Sequence, residues 1–201
     1  MNFKLIIVLL LINSKNILFY KMSKILLVFN HPNFKESFAN QIIVKKLRSL
    51  IPDIEFDHID ALYPDGKIDV KAEQEKLLRN DTIIFQFPMY CQNRPHFLSR
   101  WFEEVYEYGF AYGKEFKLKD KRVIVSMTLN CRKDEFFGKY TIDNVVSPWI
   151  ATCDYTKQKF IGYENTYDIP FEIKKMPERA AELTVELEQH AERLAKLAQS
   201  K

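Results

Sequence analysis

Three clusters of residues carry the side chains with which this chain could do chemistry. The first contains His31 and Ser37, the second is Pro88-Met89-Tyr90-Cys91, and the third begins at Thr128. Each cluster directly follows a short apolar segment that is typical of a buried strand. In an open parallel sheet the carboxyl ends of such strands meet at one edge, where ligands bind. The spacing therefore predicts one ligand site built from all three clusters.

The first cluster has the chemistry of a phosphate site. Ser37 stands where a helix begins, so its hydroxyl and the N–H groups of Phe38 to Asn40 would face an anion at the positive end of the helix dipole. His31 could close over that anion or over a ribityl chain. Taken alone, Ser37 is also explained as a helix N-cap and His31 as a turn residue, so the functional interpretation depends on the other clusters.

The second cluster suits a flat ligand. Pro88 gives a rigid backbone, Tyr90 an aromatic ring and Cys91 a polarisable sulfur, so a planar heterocycle would gain hydrogen bonds along one edge and ring contact on a face. The alternative is a surface loop with a packed tyrosine.

The helix that follows is unusually aromatic. Its large rings are those of Trp101, Phe102, Tyr106 and Tyr108. Such a face is more often part of a core than a contact to a cofactor, but it could also cover a dimer interface. We interpret it as a dimer surface.

Alternating strands and helices predict the scaffold that positions these clusters. Strands are expected at Lys24–Asn30, Glu55–Ile59, Thr82–Phe87, Arg122–Met127 and Gln158–Tyr163. Helices are expected from Ser37 to Pro52 and over Val70–Arg79, Pro95–Tyr108, Asp143–Ala151 and Pro177–Ala198. Such alternation is typical of βαβ units. We therefore predict an α/β fold, a flavodoxin-like three-layer sandwich with a five-stranded parallel sheet of order 2-1-3-4-5.

Composition argues against several classes of function. A formal net charge of +3, without a stripe of basic and aromatic residues, argues against nucleic-acid binding. Three cysteines without C-x-x-C spacing fit a reducing compartment rather than a disulfide framework or a zinc site. The four histidines form no ligand pattern, so no metal is expected. A glycine-rich phosphate loop is excluded because neither G-x-G-x-x-G nor G-x-x-x-x-G-K occurs.

The first residues differ from the rest, and we treat 1–21 as an N-terminal extension before a domain of residues 22–201. Leu5–Ile12 resembles the apolar part of a signal peptide, but it is shorter than the roughly 20 apolar residues that cross a bilayer. No small-residue cleavage site follows, and Met22 directly precedes a strong strand, as a start codon would. A mis-assigned start implies a cytoplasmic protein. A genuine signal would make it membrane-associated or exported, and an extra structured element is the third alternative.

Three motifs together resemble one known family. They are His31…Ser37-x-Ala39-Asn40, then Phe85-Gln86-Phe87-Pro88-Met89-Tyr90, then Pro95…Leu98…Trp101…Gly109-Phe110-Ala111-Tyr112-Gly113. Their combination is similar to that of the flavodoxin-like NAD(P)H:quinone oxidoreductases, a family that includes ancillary flavoproteins of glutathione-gated potassium-efflux systems. The run Tyr63-Pro64…Ile68-Asp69-Val70…Glu73-Gln74 resembles its bacterial branch. The similarity extends from about Ser23 to Leu197.

The resemblance implies an NAD(P)H dehydrogenase (quinone) that is a homodimer and binds FMN, with FAD as the alternative. NAD(P)H would be the electron donor, and quinones or similar flat acceptors would be reduced by two-electron, ping-pong hydride transfer. The resemblance assigns cofactor binding to His31, Ser37, Phe38, Ala39, Asn40, Pro88, Met89, Tyr90, Cys91, Thr128, Leu129, Asn130 and Cys131.

Within that assignment, the residues of the first cluster would hold the phosphate and the ribityl side of the flavin. Pro88 to Tyr90 would line the isoalloxazine ring, and Thr128 would begin the loop at its pyrimidine edge. Tyr140 is the candidate catalytic residue, as a proton donor.

The chain departs from the family pattern in ways that affect turnover. Cys91 stands where relatives carry tryptophan, and Thr128-Leu129-Asn130 stands where they carry Thr-Gly-Gly. Glycines allow the positive φ that brings backbone donors close to a ring, whereas leucine adopts it poorly. We therefore expect weaker stabilisation of negative charge on a reduced flavin. Phe136 and Phe137 stand near a family tyrosine, which leaves Tyr140 as its substitute.

Functions of other classes stay open. The altered loop at Thr128 favours an ancillary or regulatory subunit that binds a membrane potassium-efflux transporter and has weak or no enzyme activity. The intact first and second clusters favour the enzyme. An exported or anchored reductase is a further alternative, which depends wholly on residues 1–21.

Overall fold

Five parallel strands form the centre of the molecule in the computed structural model, which describes residues 24–135 and 141–200. They are β1 (Ile25–Phe29), β2 (Glu55–His58), β3 (Thr82–Pro88), β4 (Arg122–Thr128) and β5 (Lys159–Thr166). The strand order is β2-β1-β3-β4-β5, and every neighbouring pair is parallel. The predicted fold class and strand order are therefore confirmed.

Helices cover both faces of this sheet. They are α1 (Phe38–Leu50), α2 (Ile59–Leu62), α3 (Val70–Arg79), α4 (His96–Val105), α5 (Ile142–Thr156) and α6 (Pro177–Gln199). Short 3-10 turns occupy Phe34–Glu36, Lys133–Glu135 and Ile173–Lys175. One face packs against α1 and α6, and the other against α3, α4 and α5. Within the described ranges, none of these helices combines the length and the apolar character needed to span a bilayer.

Strand β1, which lies between β2 and β3, shows why its segment of the sequence is apolar at every position. Leu26 and Val28 enter the core on the side of α3, α4 and α5, whereas Ile25, Leu27 and Phe29 enter the core on the side of α1 and α6. Successive side chains of a strand point to opposite faces, so a strand covered on both faces needs apolar residues throughout.

Polar residues interrupt this apolar pattern near the carboxyl ends of the strands. Gln86 on β3, Ser126 on β4 and Thr166 on β5 are buried. Gln86 lies opposite Ser126 in the strand register, and Thr166 lies opposite Thr128. Because these positions are adjacent across the sheet, the polar side chains form one group on the face that α1 and α6 cover.

The aromatic residues of α4 lie inside the molecule, so the interpretation of this helix as a dimer surface is wrong for most of them. Trp101 is fully buried, and Phe102 and Tyr106 are 8% and 7% exposed. The rings of Phe102 and Tyr106 contact each other with centroids 4.6 Å apart. Tyr108, beyond the end of the helix, is the exposed member of the four, at 61%.

Element ends differ most from the prediction in the last part of the chain. α5 continues past Ala151 to Thr156 and ends where Lys157 adopts a left-handed φ of 60°. β5 continues past Tyr163 to Thr166, because its backbone keeps pairing with β4.

The predicted N-terminal extension, residues 1–21, lies outside the described residues.

Candidate functional site

A cleft of about 260 Å³ opens at the carboxyl ends of β1, β3 and β4. The predicted cofactor-binding residues that line it are His31, Ser37, Phe38, Ala39, Asn40, Pro88, Met89, Tyr90, Thr128, Leu129 and Asn130. Cys91 and Cys131 are not among the lining residues. The structure thus brings the three clusters together, while their role in cofactor binding stays a prediction.

The N-terminus of α1 forms one end of the cleft. Ser37 is its N-cap, and the Ser37 Oγ accepts hydrogen bonds from the backbone N–H and the side-chain Nδ2 of Asn40, at 3.2 and 3.1 Å. The first N–H groups of a helix have no intrahelical acceptor. Those of Phe38 and Ala39, both of which line the cleft, can therefore donate to a ligand.

His31 lies on the wall beside this helix end. Its backbone N–H donates to Asp60 Oδ2 at 2.7 Å, and its ring Nδ1 accepts the N–H of Asn33 at 3.1 Å. Burial lowers the pKa of His31, Asp60 opposes this effect, and His58 adds to it, so that the pKa lies below its ordinary value. The ring is therefore neutral at pH 7, with its remaining proton on Nε2 as a donor.

The second cluster forms the wall above β3. The N–H of Met89 donates to the Thr128 carbonyl at 2.9 Å, which continues the pairing of β3 with β4. Tyr90 and Asn93 then exchange two backbone hydrogen bonds, both of 2.9 Å, and close a two-residue turn. Tyr90 is 43% exposed on the cleft wall, so a ring contact remains open to a ligand.

Cys91 and Gln92 occupy that turn in an unfavourable conformation. Their φ angles are 49° and 62°, the left-handed region that such a hairpin turn requires and that Asn-Gly normally fills. Each residue costs about 1–2 kcal/mol there, because its Cβ approaches a carbonyl oxygen. The turn leaves Cys91 exposed and outside the cleft lining, so the structure does not place this predicted cofactor residue at the site.

The third cluster continues the sheet instead of forming an open loop. The Leu129 N–H donates to the Thr166 carbonyl at 2.9 Å, and the Leu129 carbonyl accepts the N–H of Ile169 at 3.1 Å. Neither Leu129 nor Asn130 has a positive φ, so this segment does not adopt the conformation that glycines would favour. The Leu129 amide already has an acceptor and is not available to a ligand.

The loop after β5 forms a wall that the sequence analysis missed. Ile169, Pro170, Phe171 and Lys174 line the cleft, and Phe171 is 90% exposed. Lys174 Nζ lies 2.6 Å from Glu36 Oε2, which also lines the cleft. Because the predicted β5 ended three residues early, at Tyr163, this loop was not expected to reach the sheet edge.

A buried polar chain runs from the cleft into the core, and the sequence analysis missed it too. We give this name to Asn40, Gln86, Ser126, His190 and Thr166. Asn40 Nδ2 donates to Thr128 Oγ1 at 3.0 Å, and Gln86 Nε2 donates to Asn40 Oδ1 at 2.8 Å. The Ser126 hydroxyl links Gln86 to His190 on α6. Its signal in the sequence was a glutamine and a serine within otherwise apolar strands.

The candidate catalytic residue Tyr140, with Phe136 and Phe137, lies outside the described residues. Cys131 is half-buried, and its carbonyl accepts the N–H of Asp168 at 3.0 Å. Its role in cofactor binding has no support from the cleft geometry.

Comparison with other proteins agrees with this architecture. Residues 23–191 match the family of flavodoxin-like fold. YrkL of Bacillus subtilis, which is named an uncharacterized NAD(P)H oxidoreductase, is 30% identical over 168 residues, which cover 81% of this chain and 96% of YrkL. The glutathione-regulated potassium-efflux system ancillary protein KefG of Cronobacter sakazakii is 31% identical over 135 residues, which cover 65% of this chain and 73% of KefG.

Solved structures show the same fold. General stress protein 14 of Treponema denticola, determined in complex with FMN, superposes with a TM-score of 0.69 at 26% identity over 84% of this chain and 99% of its own. An NADPH-quinone reductase of P. pentosaceus gives a TM-score of 0.69 at 23% identity, over 84% of this chain and 97% of its own. The chain therefore belongs to the flavodoxin-like fold family, as the resemblance in its sequence predicted.

Proposed function

We propose that the chain is an FMN-dependent NAD(P)H:quinone oxidoreductase. The observation that carries this proposal is the single cleft that joins the capped N-terminus of α1 to the Pro88–Tyr90 wall. It lies at the sheet edge between β1 and β3, where the strand order reverses and such folds bind ligands. The names of YrkL, an NAD(P)H oxidoreductase, and of the FMN-bound treponemal protein support the same conclusion.

The donor chemistry of the cleft fits FMN. At one end, the N–H groups of Phe38 and Ala39, the Ser37 hydroxyl and the neutral His31 offer donors to a phosphate. At the other end, Pro88 and Tyr90 offer a rigid backbone and a ring to a flat heterocycle. FAD, with its additional adenylate, is the alternative cofactor.

FMN, when bound, would supply two-electron hydride chemistry between NAD(P)H and a quinone or similar flat acceptor in ping-pong order. The residues of this chain would bind and orient. Tyr90 would limit access of water to the ring face, and Tyr140 is proposed as the proton donor. The Leu129 amide, already bonded to Thr166, would contribute nothing to charge stabilisation.

We also propose that the protein is a cytoplasmic homodimer. Tyr90 and Phe171 leave exposed rings on two walls of the cleft, which a second copy could cover. Light scattering on the purified full-length chain is expected to give twice the mass of one chain.

The experiment that tests the enzyme is FMN uptake by the full-length chain, followed by anaerobic reduction. We expect quenching of FMN fluorescence on binding, bleaching of the visible flavin band by NADH or NADPH, and recovery of the band on addition of a quinone. Absence of a flavin band after incubation with excess FMN would overturn the proposal.

A serine at each end of α1 offers a matched pair of variants. Ser37→Asp places a carboxylate at the proposed phosphate position, and we expect at least tenfold weaker FMN binding, because like charges repel. Ser49→Asp puts the same charge at the exposed far end of the helix and is expected to leave FMN affinity unchanged. Equal affinities of the two variants would count against the phosphate assignment.

A second function is favoured by a different observation. KefG is an ancillary protein of a potassium-efflux system, and the occupied Leu129 amide removes one source of catalytic stabilisation. The alternative is therefore an ancillary subunit of a potassium-efflux transporter with weak or no enzyme activity. Normal FMN binding without bleaching by either nicotinamide, together with binding to a purified transporter of this class, would favour it.

A further inference from the structure

The buried polar chain has a direction, and Gln86 shows it. Gln86 Nε2 donates to Asn40, and Gln86 Oε1 accepts from the Ser126 hydroxyl. A serine hydroxyl has one hydrogen, so Ser126 Oγ must accept from His190 Nε2, which lies 2.7 Å away. His190 thus carries its proton on Nε2, and its Nδ1 accepts the hydroxyl of Thr166 at 2.9 Å.

The same direction continues to the cleft. Asn40 Oδ1 is occupied by Gln86, so the Asn40 amide nitrogen donates to Ser37 Oγ at 3.1 Å and to Thr128 Oγ1 at 3.0 Å. Ser37 Oγ also accepts the backbone N–H of Asn40 at 3.2 Å. Both lone pairs of the Ser37 hydroxyl are then used, and its hydrogen is left to donate outward.

Thr128 is in the same situation. Its oxygen accepts from Asn40, and among the hydrogen bonds of the described residues its hydroxyl donates to no protein acceptor. Ser37 and Thr128 both line the cleft. Ser37 and Thr128 therefore present two hydroxyl hydrogens to a ligand in the cleft.

The opposite direction would also pair these core groups, but it is not the one that the side-chain amides of Asn40 and Gln86 adopt. With the His190 proton on Nδ1, Ser126 would donate to Nε2, both amides would turn over, and Ser37 and Thr128 would donate inward to Asn40. The two hydroxyls would then present lone pairs to the cleft, which repel an anionic oxygen. The observed orientation of the Gln86 and Asn40 amides therefore decides whether a ligand in the cleft meets hydroxyl hydrogens or lone pairs.

We propose that Gln86, Ser126 and His190 are positioning residues that fix the Ser37 and Thr128 hydroxyls as donors and so select an acceptor-only phosphate over a neutral hydroxyl. This inference rests on the proposed function, because the phosphate is that of FMN. Asn40, Gln86, Ser126 and His190 are at most 2% exposed. Water therefore has little access to these groups to reverse the direction of the hydrogen bonds in the buried polar chain.

The first test compares FMN with riboflavin, which has a hydroxyl in place of the phosphate. Gln86→Met removes the donor that fixes Asn40, and we expect the ratio of the riboflavin Kd to the FMN Kd to fall about tenfold, the loss of one charge-assisted hydrogen bond. Ser126→Ala breaks the next link and is a smaller change that keeps the test available if Gln86→Met does not fold. We expect it to lower the same ratio.

Thr156→Val is the matched control. The Thr156 hydroxyl is also buried and bonded to a glutamine, Gln158, at 2.8 Å, but it is not part of the buried polar chain. It is expected to lower stability and to leave the ratio of affinities unchanged. A structural role alone would make all three variants behave alike.

The second test reads the direction of the chain without any flavin. The imidazole nitrogen chemical shifts of His190, assigned through their loss in His190→Gln, are expected to show the Nε2–H tautomer. An Nδ1–H tautomer would overturn the inference, and so would an unchanged ratio of affinities in both Gln86→Met and Ser126→Ala.

If the wild-type chain binds no FMN, the proposed function fails and this inference fails with it. A wild type that binds FMN normally while either test fails overturns the inference alone.

Discussion

His190 links the stability of the protein to pH through a single buried ring. Burial, with a smaller contribution from Arg193, lowers its pKa to about 3. In the unfolded chain the pKa returns to about 6.5. Between these two values the unfolded state binds a proton that the native state does not bind. The contribution of His190 to stability is therefore present above about pH 6.5 and is lost as the pH falls.

We expect this proton to lower the free energy of unfolding by about 1.4 kcal/mol per pH unit as the pH falls below about 6.5. His190→Gln keeps a donor and an acceptor but does not titrate, so the difference between wild type and variant isolates the slope. The difference is needed because burial, with Glu73, raises the pKa of Asp57 to about 7. In both proteins, the titration of Asp57 therefore changes the free energy of unfolding with pH in the direction opposite to that of His190.

Urea unfolding followed by tryptophan fluorescence from pH 4 to 7 measures both curves. Parallel curves for wild type and variant would show that His190 titrates normally in the native protein. The wild-type curve alone decides nothing, because the contributions of His190 and Asp57 partly cancel.

Single residues differ in how far their partners could be predicted. The Ser37 cap was predictable because its hydrogen bond joins residues three apart within one helix. The Leu129 amide was not, because its acceptor is Thr166, and that pairing exists only if β5 is long enough to reach it. The left-handed turn at Cys91 and Gln92 had no signal at all, since neither residue type favours it.

Among the secondary-structure elements, one buried carboxylate ties several together. Glu73 on α3 is fully buried and accepts from Tyr63 at 2.6 Å, from Trp101 at 2.9 Å and from Lys76 at 2.5 Å. Lys76 also donates to Asp57 on β2 at 2.6 Å. Burial raises the pKa of Glu73, but its hydrogen bonds with Asp57, Lys76 and Tyr63 outweigh burial and hold that pKa below its usual value.

Glu73→Gln should therefore destabilise the protein by about 2–4 kcal/mol. The amide removes the charge that pairs with Lys76 and turns a donor toward Tyr63 or Trp101. Glu75→Gln, on the exposed side of the same helix, is the control and should stay within about 0.5 kcal/mol of wild type. Chemical unfolding monitored by circular dichroism compares them. Equal stability of the two variants would mean that Glu73 does not join these elements.

The sequence predicted the order of the elements better than their contacts. Strand order follows from alternation and from the buried character of the strands, both of which depend on local pattern. The interpretation of α4 as a dimer surface was wrong because helical spacing shows only that one face of a helix is apolar. It does not show which part of the protein packs against that face. The sheet covers Trp101 and Phe102. The wall at Ile169 to Lys174 was missed because it depends on where β5 ends.

Across the whole molecule, two segments that are far apart in the sequence meet at the cleft. Glu36, just before α1, and Lys174, just before α6, are 138 residues apart in sequence and form an ion pair on the cleft. Their side chains are 68% and 56% exposed, so solvent screens the pair and it contributes little to stability. Its charges can therefore be changed without unfolding the protein.

Glu36→Gln should tighten FMN binding by about threefold, because it removes a negative charge from the cleft and leaves Lys174 free to face the phosphate. Lys174→Met should weaken FMN binding by a similar factor for the opposite reason. Lys175→Met is the matched control, since the neighbouring lysine pairs with Glu172 and does not line the cleft. Fluorescence titration with FMN measures all three affinities.

Riboflavin and salt separate charge from shape in the same experiment. Riboflavin carries no phosphate, so its affinity should be equal in the two cleft variants. Both effects on FMN should also disappear near 1 M salt, where the screening length falls to about 3 Å. A change in riboflavin affinity, or an effect that persists at high salt, would mean that Glu36 and Lys174 shape the cleft rather than set its charge. The two variants should then also change the affinity in the same direction, because either one breaks the contact between Glu36 and Lys174.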